Sequence, residues 1–204
     1  LNQSYCDLLF SVDATPGSSI DDPERPSIPA EGDKAEPKPD EEENVTGTLA
    51  FEAIWPSGGD YDLYDVLVEY ARKVYFDKKN IVTKIVDEFT PVHDGATYVN
   101  AFAYQIDAAQ IGDKITLPEG AILEKETSSI IVMSNAKQNI GNKYVVTREF
   151  NGSFLKNQLL SYNPYIIVKY SQGEQNRTEV HLPKHKATAY ANQSLIGSND
   201  DAYY

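Results

Sequence analysis

The fold is decided by the stretch Val66-Leu67-Val68-Glu69-Tyr70-Ala71-Arg72-Lys73-Val74-Tyr75-Phe76. Large apolar side chains recur in phase along it, whereas Glu69 and Lys73 fall on the opposite side. An alternation of this kind is typical of a β-strand with one buried face. The polar turn Asp77-Lys78-Lys79-Asn80 follows, and residues 81–89 alternate again. The stretch therefore predicts a β-hairpin with a four-residue loop.

The rest of the chain repeats the same short apolar runs between Gly, Asn and Pro turns. Helical periodicity is scarce and predicts only short turns at 108–111 and 154–160. Many short strands separated by turn residues predict an all-β fold, an antiparallel β-sandwich of jelly-roll-like form. Further strands are predicted at residues 8–12, 47–54, 98–106, 115–117, 121–123, 130–133, 144–150, 165–170 and 179–182.

Charge is concentrated near the amino-terminal end. The 204 residues carry a net charge of −13, and residues 21–44 alone hold ten acids, three bases and five of the eleven prolines. A segment with so few large apolar residues cannot bury enough surface to offset its ordering entropy. We therefore expect one sandwich domain over residues 1–204, with an acidic Pro-rich loop over 15–45 inside it.

The composition excludes several classes of function. A sequence pI near 4.6 argues against nucleic-acid binding, which needs a basic surface. No run of 18 or more apolar residues exists, so this segment is not expected to insert into a membrane. His181 and His185 are four apart, but Pro183 between them forbids the helix that would place both on one face. No catalytic motif is present either, and we expect no enzyme.

The acids that open the first predicted strand form the most specific local feature. Asp60, Asp62 and Asp65 lie within six residues, directly after Gly58-Gly59. Calcium takes six to eight oxygen ligands, and carboxylates at alternate positions of one loop can converge on it. The spacing thus favours a calcium site, with a solvated acidic turn at the start of the strand as the alternative.

Five segments share the pattern of one known family. They are Gly47-Thr48-Leu49-Ala50-Phe51-Glu52-Ala53-Ile54-Trp55-Pro56-Ser57-Gly58-Gly59-Asp60-Tyr61-Asp62, Asn163-Pro164-Tyr165-Ile166-Ile167-Val168, Glu179-Val180-His181-Leu182-Pro183, Ser194-Leu195-Ile196-Gly197-Ser198-Asn199-Asp200-Asp201 and Tyr5-Cys6-Asp7-Leu8-Leu9-Phe10-Ser11-Val12, the last in degraded form. These segments resemble the LruC-domain proteins. In that family the loop of acids contains an Asn where this chain has Tyr64, which would still offer its backbone carbonyl oxygen. Together with the spacing of the acids, this gives a candidate calcium-ligand set of Asp60, Asp62, Tyr64 and Asp65.

The resemblance also implies a setting. LruC-domain proteins are exported bacterial proteins, abundant in Bacteroides and its relatives, whose domain has no known activity. We therefore expect a protein of the bacterial cell surface or periplasm, in a lipoprotein or adhesin-like context. Its role would be structural or adhesive, with surface glycans or other cell-surface proteins as partners.

The alternative function is a glycan-binding module. Tyrosine accounts for 14 of the 204 residues, and its ring is apolar with a polar tip, which suits a binding surface. Tyr61, Tyr64, Tyr98 and Tyr104 are the candidates for exposed rings. In a sandwich such rings also serve as ordinary cross-strand pairs, so the count alone does not decide between these roles.

Overall fold

The computed structural model describes residues 41–56, 63–152 and 154–198. These residues form ten strands in two five-stranded sheets, and every pair of neighbouring strands is antiparallel. The predicted all-β sandwich is confirmed. The strands are β1 (Glu41–Phe51), β2 (Val66–Phe76), β3 (Val82–Asp94), β4 (Asn100–Gln105), β5 (Lys114–Thr116), β6 (Ile122–Glu124), β7 (Ser129–Met133), β8 (Tyr144–Glu149), β9 (Asn163–Val168) and β10 (Thr178–His181).

The first sheet has the strand order β1-β2-β3-β8-β5 and contains the predicted hairpin. β2 covers the same residues as the sequence predicts, and it pairs with β3. The turn closes because the Asp77 carboxylate accepts hydrogen bonds from the backbone N–H groups of Lys79 and Ile81 at 2.8 and 2.9 Å. Asn80 takes the left-handed conformation at φ 61°, which asparagine tolerates well.

The second sheet has the order β10-β9-β4-β7-β6. All six residues of β9 and all five of β7 are buried, so these strands are covered on both faces. Three short 3₁₀ turns connect the strands of the fold. They are Ala108–Gln110, Lys137–Asn139 and Lys156–Gln158.

The main core lies between the two sheets. The first sheet contributes Phe51, Val66 and Phe89, and the second contributes Phe102 and Ile166. Phe102 contacts both aromatic rings of the facing sheet, at centroid distances of 6.3 Å to Phe51 and 5.1 Å to Phe89. Tilted ring pairs at such distances are favourable beyond their buried area.

The acidic loop requires a correction. Residues 41–45 were expected in the loop, but they form the first half of β1, with Glu42 and Glu43 opposite Tyr75 and Val74. β1 is an edge strand, so its acids reach solvent, and these two form ion pairs with Lys73 and Lys156. Residues 15–40 of the predicted loop and the predicted strand 8–12 lie outside the described residues. Within the described ranges, no helix is long and apolar enough to cross a membrane.

Candidate metal centre

Asp65 lies where three strand ends meet. It directly precedes β2, and its Oδ2 accepts a hydrogen bond from the backbone N–H of Ala53, just beyond β1, at 2.8 Å. Its backbone carbonyl accepts from the N–H of Gly95, just beyond β3, also at 2.8 Å. The carboxylate therefore has a fixed position at one end of the first sheet.

Tyr64 lies beside the same turn. Tyr64 is 53% exposed, and its ring packs against the His93 imidazole, with 4.0 Å between the ring centroids. Its backbone carbonyl oxygen is 3.6 Å from the position that a Cβ on Gly95 would occupy. The structure thus brings two of the four predicted ligands, Tyr64 and Asp65, to one place. Asp60 and Asp62 lie outside the described residues.

A second carboxylate faces the interior next to this turn. Asp94 ends β3 opposite Val66 and is 4% exposed, and neither of its carboxylate oxygens has a hydrogen-bond partner among the described residues. Asn100 begins β4 in the other sheet and is 0% exposed, and its side-chain oxygen and nitrogen likewise have no partner there. Buried polar groups are nearly always satisfied, so four such atoms together need an explanation.

The surroundings of Asp94 raise the pKa of its carboxyl above the usual value. Burial is the largest cause, and the neighbouring Asp65 adds to it. Lys137, the Asn100 amide and the backbone N–H of Ala96 act in the opposite direction and lower the pKa. These groups are therefore near neighbours of the carboxylate, although none meets the geometry of a hydrogen bond to it. Lys137 Nζ donates instead to the carbonyl oxygen of Ala96 at 2.7 Å.

We call Asp65, Asp94 and Asn100 the Asp94 cluster. It offers two carboxylates and one amide, all hard oxygen donors of the kind that calcium prefers. No group of three or more His, Cys, Asp or Glu side chains is arranged to hold a metal within residues 41–56, 63–152 and 154–198. The cluster is thus a partial ligand set, which backbone carbonyls, water or further acids would have to complete.

Sequence reasoning missed Asp94 and Asn100. Their signals were weak, because His93-Asp94-Gly95 has the composition of an ordinary turn and Asn100 starts a predicted strand. What distinguishes them is burial without a partner, which becomes visible only when the two sheets are packed.

Elsewhere, buried charges are engaged with one another. Asp87 forms ion pairs with two arginines, with Arg72 Nε at 3.0 Å and Arg148 Nη2 at 3.4 Å from its carboxylate oxygens. Its Oδ2 also accepts from the hydroxyls of Tyr162 at 2.8 Å and Tyr104 at 3.4 Å. Tyr104 is fully buried, so the expectation that it exposes its ring is wrong. The physical reason is that β4 is covered on both faces.

His181 is the last residue of β10. Its Nδ1 is 2.7 Å from Asn163 Oδ1 and its Nε2 is 2.9 Å from Glu179 Oε2. His181 therefore belongs to a buried hydrogen-bond network around Glu179.

A shallow groove of about 350 Å³ lies on the first sheet. Thr46, Thr48, Glu69, Glu88 and Thr90 are among its lining residues. Glu88 also forms an ion pair with Lys143 at 2.6 Å. The groove thus presents hydroxyls and carboxylates, whereas Tyr64, Tyr98 and Tyr104 do not line it. Tyr61 lies outside the described residues.

Comparison with known proteins identifies a family. Residues 80–204 match the model of a family described as Domain of unknown function (DUF4842). No curated protein and no solved structure matches the chain.

Proposed function

We propose a function for this chain, which belongs to the DUF4842 family of unknown function. In this proposal it is a non-catalytic domain of an exported bacterial cell-surface protein. Its role is structural or adhesive, and calcium stabilises it. The resemblance to LruC-domain proteins of Bacteroides and its relatives supports export and a lipoprotein or adhesin-like setting. Its partners are surface glycans or other cell-surface proteins.

One observation carries the calcium part of the proposal. The carboxylate of Asp94 is buried without a partner beside Asp65, at the end of the sheet where the acidic loop enters β2. A buried carboxylate is costly unless a cation or hydrogen bonds compensate it. Calcium held by Asp60, Asp62, Asp65 and the Tyr64 carbonyl oxygen would bring positive charge to this end of the sandwich.

Thermal unfolding tests this. A metal that binds only the folded state raises the melting temperature. We expect the purified chain to melt at a higher temperature with excess calcium than with excess chelator. Asp60→Asn and Asp62→Asn should reduce the difference, and Glu119→Gln, an exposed acid in a remote turn, should leave it unchanged. Superimposable melting curves with calcium and with chelator would overturn the calcium part of the proposal.

Export is tested separately. Whole cells of the source bacterium are treated with a protease that cannot enter them and probed with an antibody to this domain. Loss of the band from intact cells, or its recovery in a periplasmic fraction, is the expected result. Recovery only in the cytoplasmic fraction would contradict the proposal.

The second candidate function is glycan binding, and the groove on the first sheet favours it. Carboxylates and threonine hydroxyls are suitable hydrogen-bond partners for sugar hydroxyls. If glycans bind there, Glu69→Ala should abolish retention on polysaccharide gels, and Tyr64→Ala, at the other candidate surface, should not. Retention lost only with Tyr64→Ala would instead place the binding surface at the exposed ring.

A further inference from the structure

We propose that the Asp94 cluster itself binds calcium, so that the ion is held by Asp65 and Asp94 from the first sheet and by the Asn100 side-chain oxygen from the second. The inference rests on the proposed function and adds ligands that the acidic motif does not contain. An ion in this position would connect the two sheets at one end of the sandwich.

The first argument is the set of unsatisfied atoms. Both oxygens of Asp94 and both side-chain polar atoms of Asn100 are buried without partners among the described residues. An unsatisfied buried polar group is unfavourable, and a charged one more so. One cation would compensate both oxygens of the carboxylate and the amide oxygen together. It would leave the Asn100 NH₂ group to donate to a carboxylate.

The second argument is that protein cations do not fill this role. Lys137 lowers the pKa of Asp94, but its Nζ donates to the carbonyl oxygen of Ala96, and no cation among the described residues forms an ion pair with Asp94. This contrasts with Asp87, which is also buried and forms ion pairs with two arginines. Among the described residues, two arginines therefore form ion pairs with Asp87, whereas no basic group forms one with Asp94.

The third argument is the position of the ligands. Asp65 and Asp94 flank the same end of the β2–β3 pair, where Gly95 N–H donates to the Asp65 carbonyl, while Asn100 opens β4 across the interface. Asp94 and Asn100 are terminal residues of β3 and β4, and Asp65 directly precedes β2 with its carbonyl bonded to the Gly95 N–H, so all three backbones are held in place. Ligands fixed in this way are ordered before the ion binds.

The donor set indicates which ion. All three groups are oxygen donors, without a thiolate or imidazole, which disfavours zinc and copper. Calcium accepts irregular coordination by carboxylates, amide and backbone carbonyls and water, whereas magnesium demands near-ideal octahedral geometry. The Tyr64 carbonyl oxygen, close to Gly95, can supply a further ligand from the protein.

Terbium luminescence tests the assignment. Tb³⁺ replaces calcium at oxygen-rich sites, and Trp55, the only tryptophan, packs against the core cluster that contains Val66 and Ala96. Exciting it should sensitise bound Tb³⁺, and calcium should compete the signal away. We expect Asp94→Asn and Asn100→Ala to weaken calcium binding by tenfold or more, while the control Glu119→Gln binds as the unaltered chain does.

The possible outcomes separate the two proposals. If the unaltered chain binds calcium and both variants bind it equally well, the ligands assigned here are wrong, while the calcium-stabilised function survives. If the unaltered chain binds neither calcium nor Tb³⁺, both proposals fail.

If circular dichroism shows that Asp94→Asn does not fold, the Asn100→Ala variant distinguishes a ligand role from a structural role. A ligand role predicts that its metal-free melting temperature is retained and that the rise on adding calcium shrinks. A purely structural role predicts a lower metal-free melting temperature with an undiminished rise, and this result would overturn the assignment.

Discussion

Arg177 holds Glu124 through two parallel hydrogen bonds, from Nη1 to Oε1 at 2.7 Å and from Nη2 to Oε2 at 2.8 Å. Glu124 ends β6, and Arg177 directly precedes β10. Since β6 and β10 are the two opposite edges of the second sheet, the pair connects those edges directly. Arg177 also donates from Nε to Glu179 at 2.7 Å. A planar guanidinium suits this forked arrangement, which a lysine cannot reproduce.

Removing this arginine should destabilise the fold strongly. Arg177 is 2% exposed and its two acidic partners are 10% and 0% exposed, so Arg177→Ala leaves two buried carboxylates without their positively charged partner. We expect a loss of about 3 to 5 kcal/mol in the free energy of unfolding, measured by urea denaturation. Lys114→Ala removes an exposed pair with Glu149 and should cost less than about 1 kcal/mol. Equal losses for the two variants would contradict this interpretation.

Acid should act on the same network through Glu179. Burial raises the pKa of this carboxyl, but hydrogen bonds from His181, Thr188 and Arg177 more than offset it and place the pKa below the usual 4.5. A depressed pKa stabilises the fold above pH 4.5, and this contribution is lost as pH falls through the folded-state pKa.

Urea denaturation between about pH 3 and about pH 6 measures this effect. At the upper end of this pH range, Glu179→Gln should have a lower free energy of unfolding than the unaltered chain. As the pH falls, the free energy of unfolding of the variant should decrease less steeply. A variant that declines as steeply as the unaltered chain would show that other carboxyls control the acid sensitivity.

Two tyrosines that share one carboxylate oxygen provide a matched pair. Tyr162 donates to Asp87 Oδ2 at 2.8 Å and Tyr104 donates to the same atom at 3.4 Å. Hydrogen bonds to charged groups contribute about 1.5 to 3 kcal/mol, and they weaken with length. Tyr162→Phe should therefore lower the free energy of unfolding by about 2 kcal/mol and Tyr104→Phe by less. The reverse order in chemical denaturation would show that the hydroxyl distances do not determine the energies.

Alternation in the sequence identified most of the strands. β2, for example, alternates buried residues with half-buried or exposed ones near both of its ends, so its pattern is visible. The start of β1 was missed because Glu41, Glu42 and Glu43 resemble solvated loop residues, and an edge strand tolerates them. Tyr104 was misjudged because a strand covered on both faces gives no sign of which tyrosines are exposed.

The sequence likewise reveals only some residues of the candidate site. Asp65 belongs to a local motif, and spacing alone drew attention to it. Asp94 and Asn100 are contributed by different sheets, and their significance comes from burial without partners, which no local pattern encodes. Local spacing thus predicts the ligands that one loop supplies, whereas ligands contributed across the core require the packed structure.

Gly47 makes room for an aromatic ring on the neighbouring strand. It is the direct partner of Tyr70, and a Cβ at residue 47 would lie 2.8 Å from Tyr70 Cε1. Tyr70 packs against the main core, so Gly47→Ala forces the ring to shift and should cost about 1 to 3 kcal/mol in the free energy of unfolding. Thr46→Ala, at an exposed position one residue earlier on the same strand, should change it by less than about 1 kcal/mol.

In a Tyr70→Leu background the Gly47→Ala penalty should shrink, because residues in contact couple energetically. An undiminished penalty in that double-mutant cycle would assign the glycine requirement to the backbone rather than to the ring.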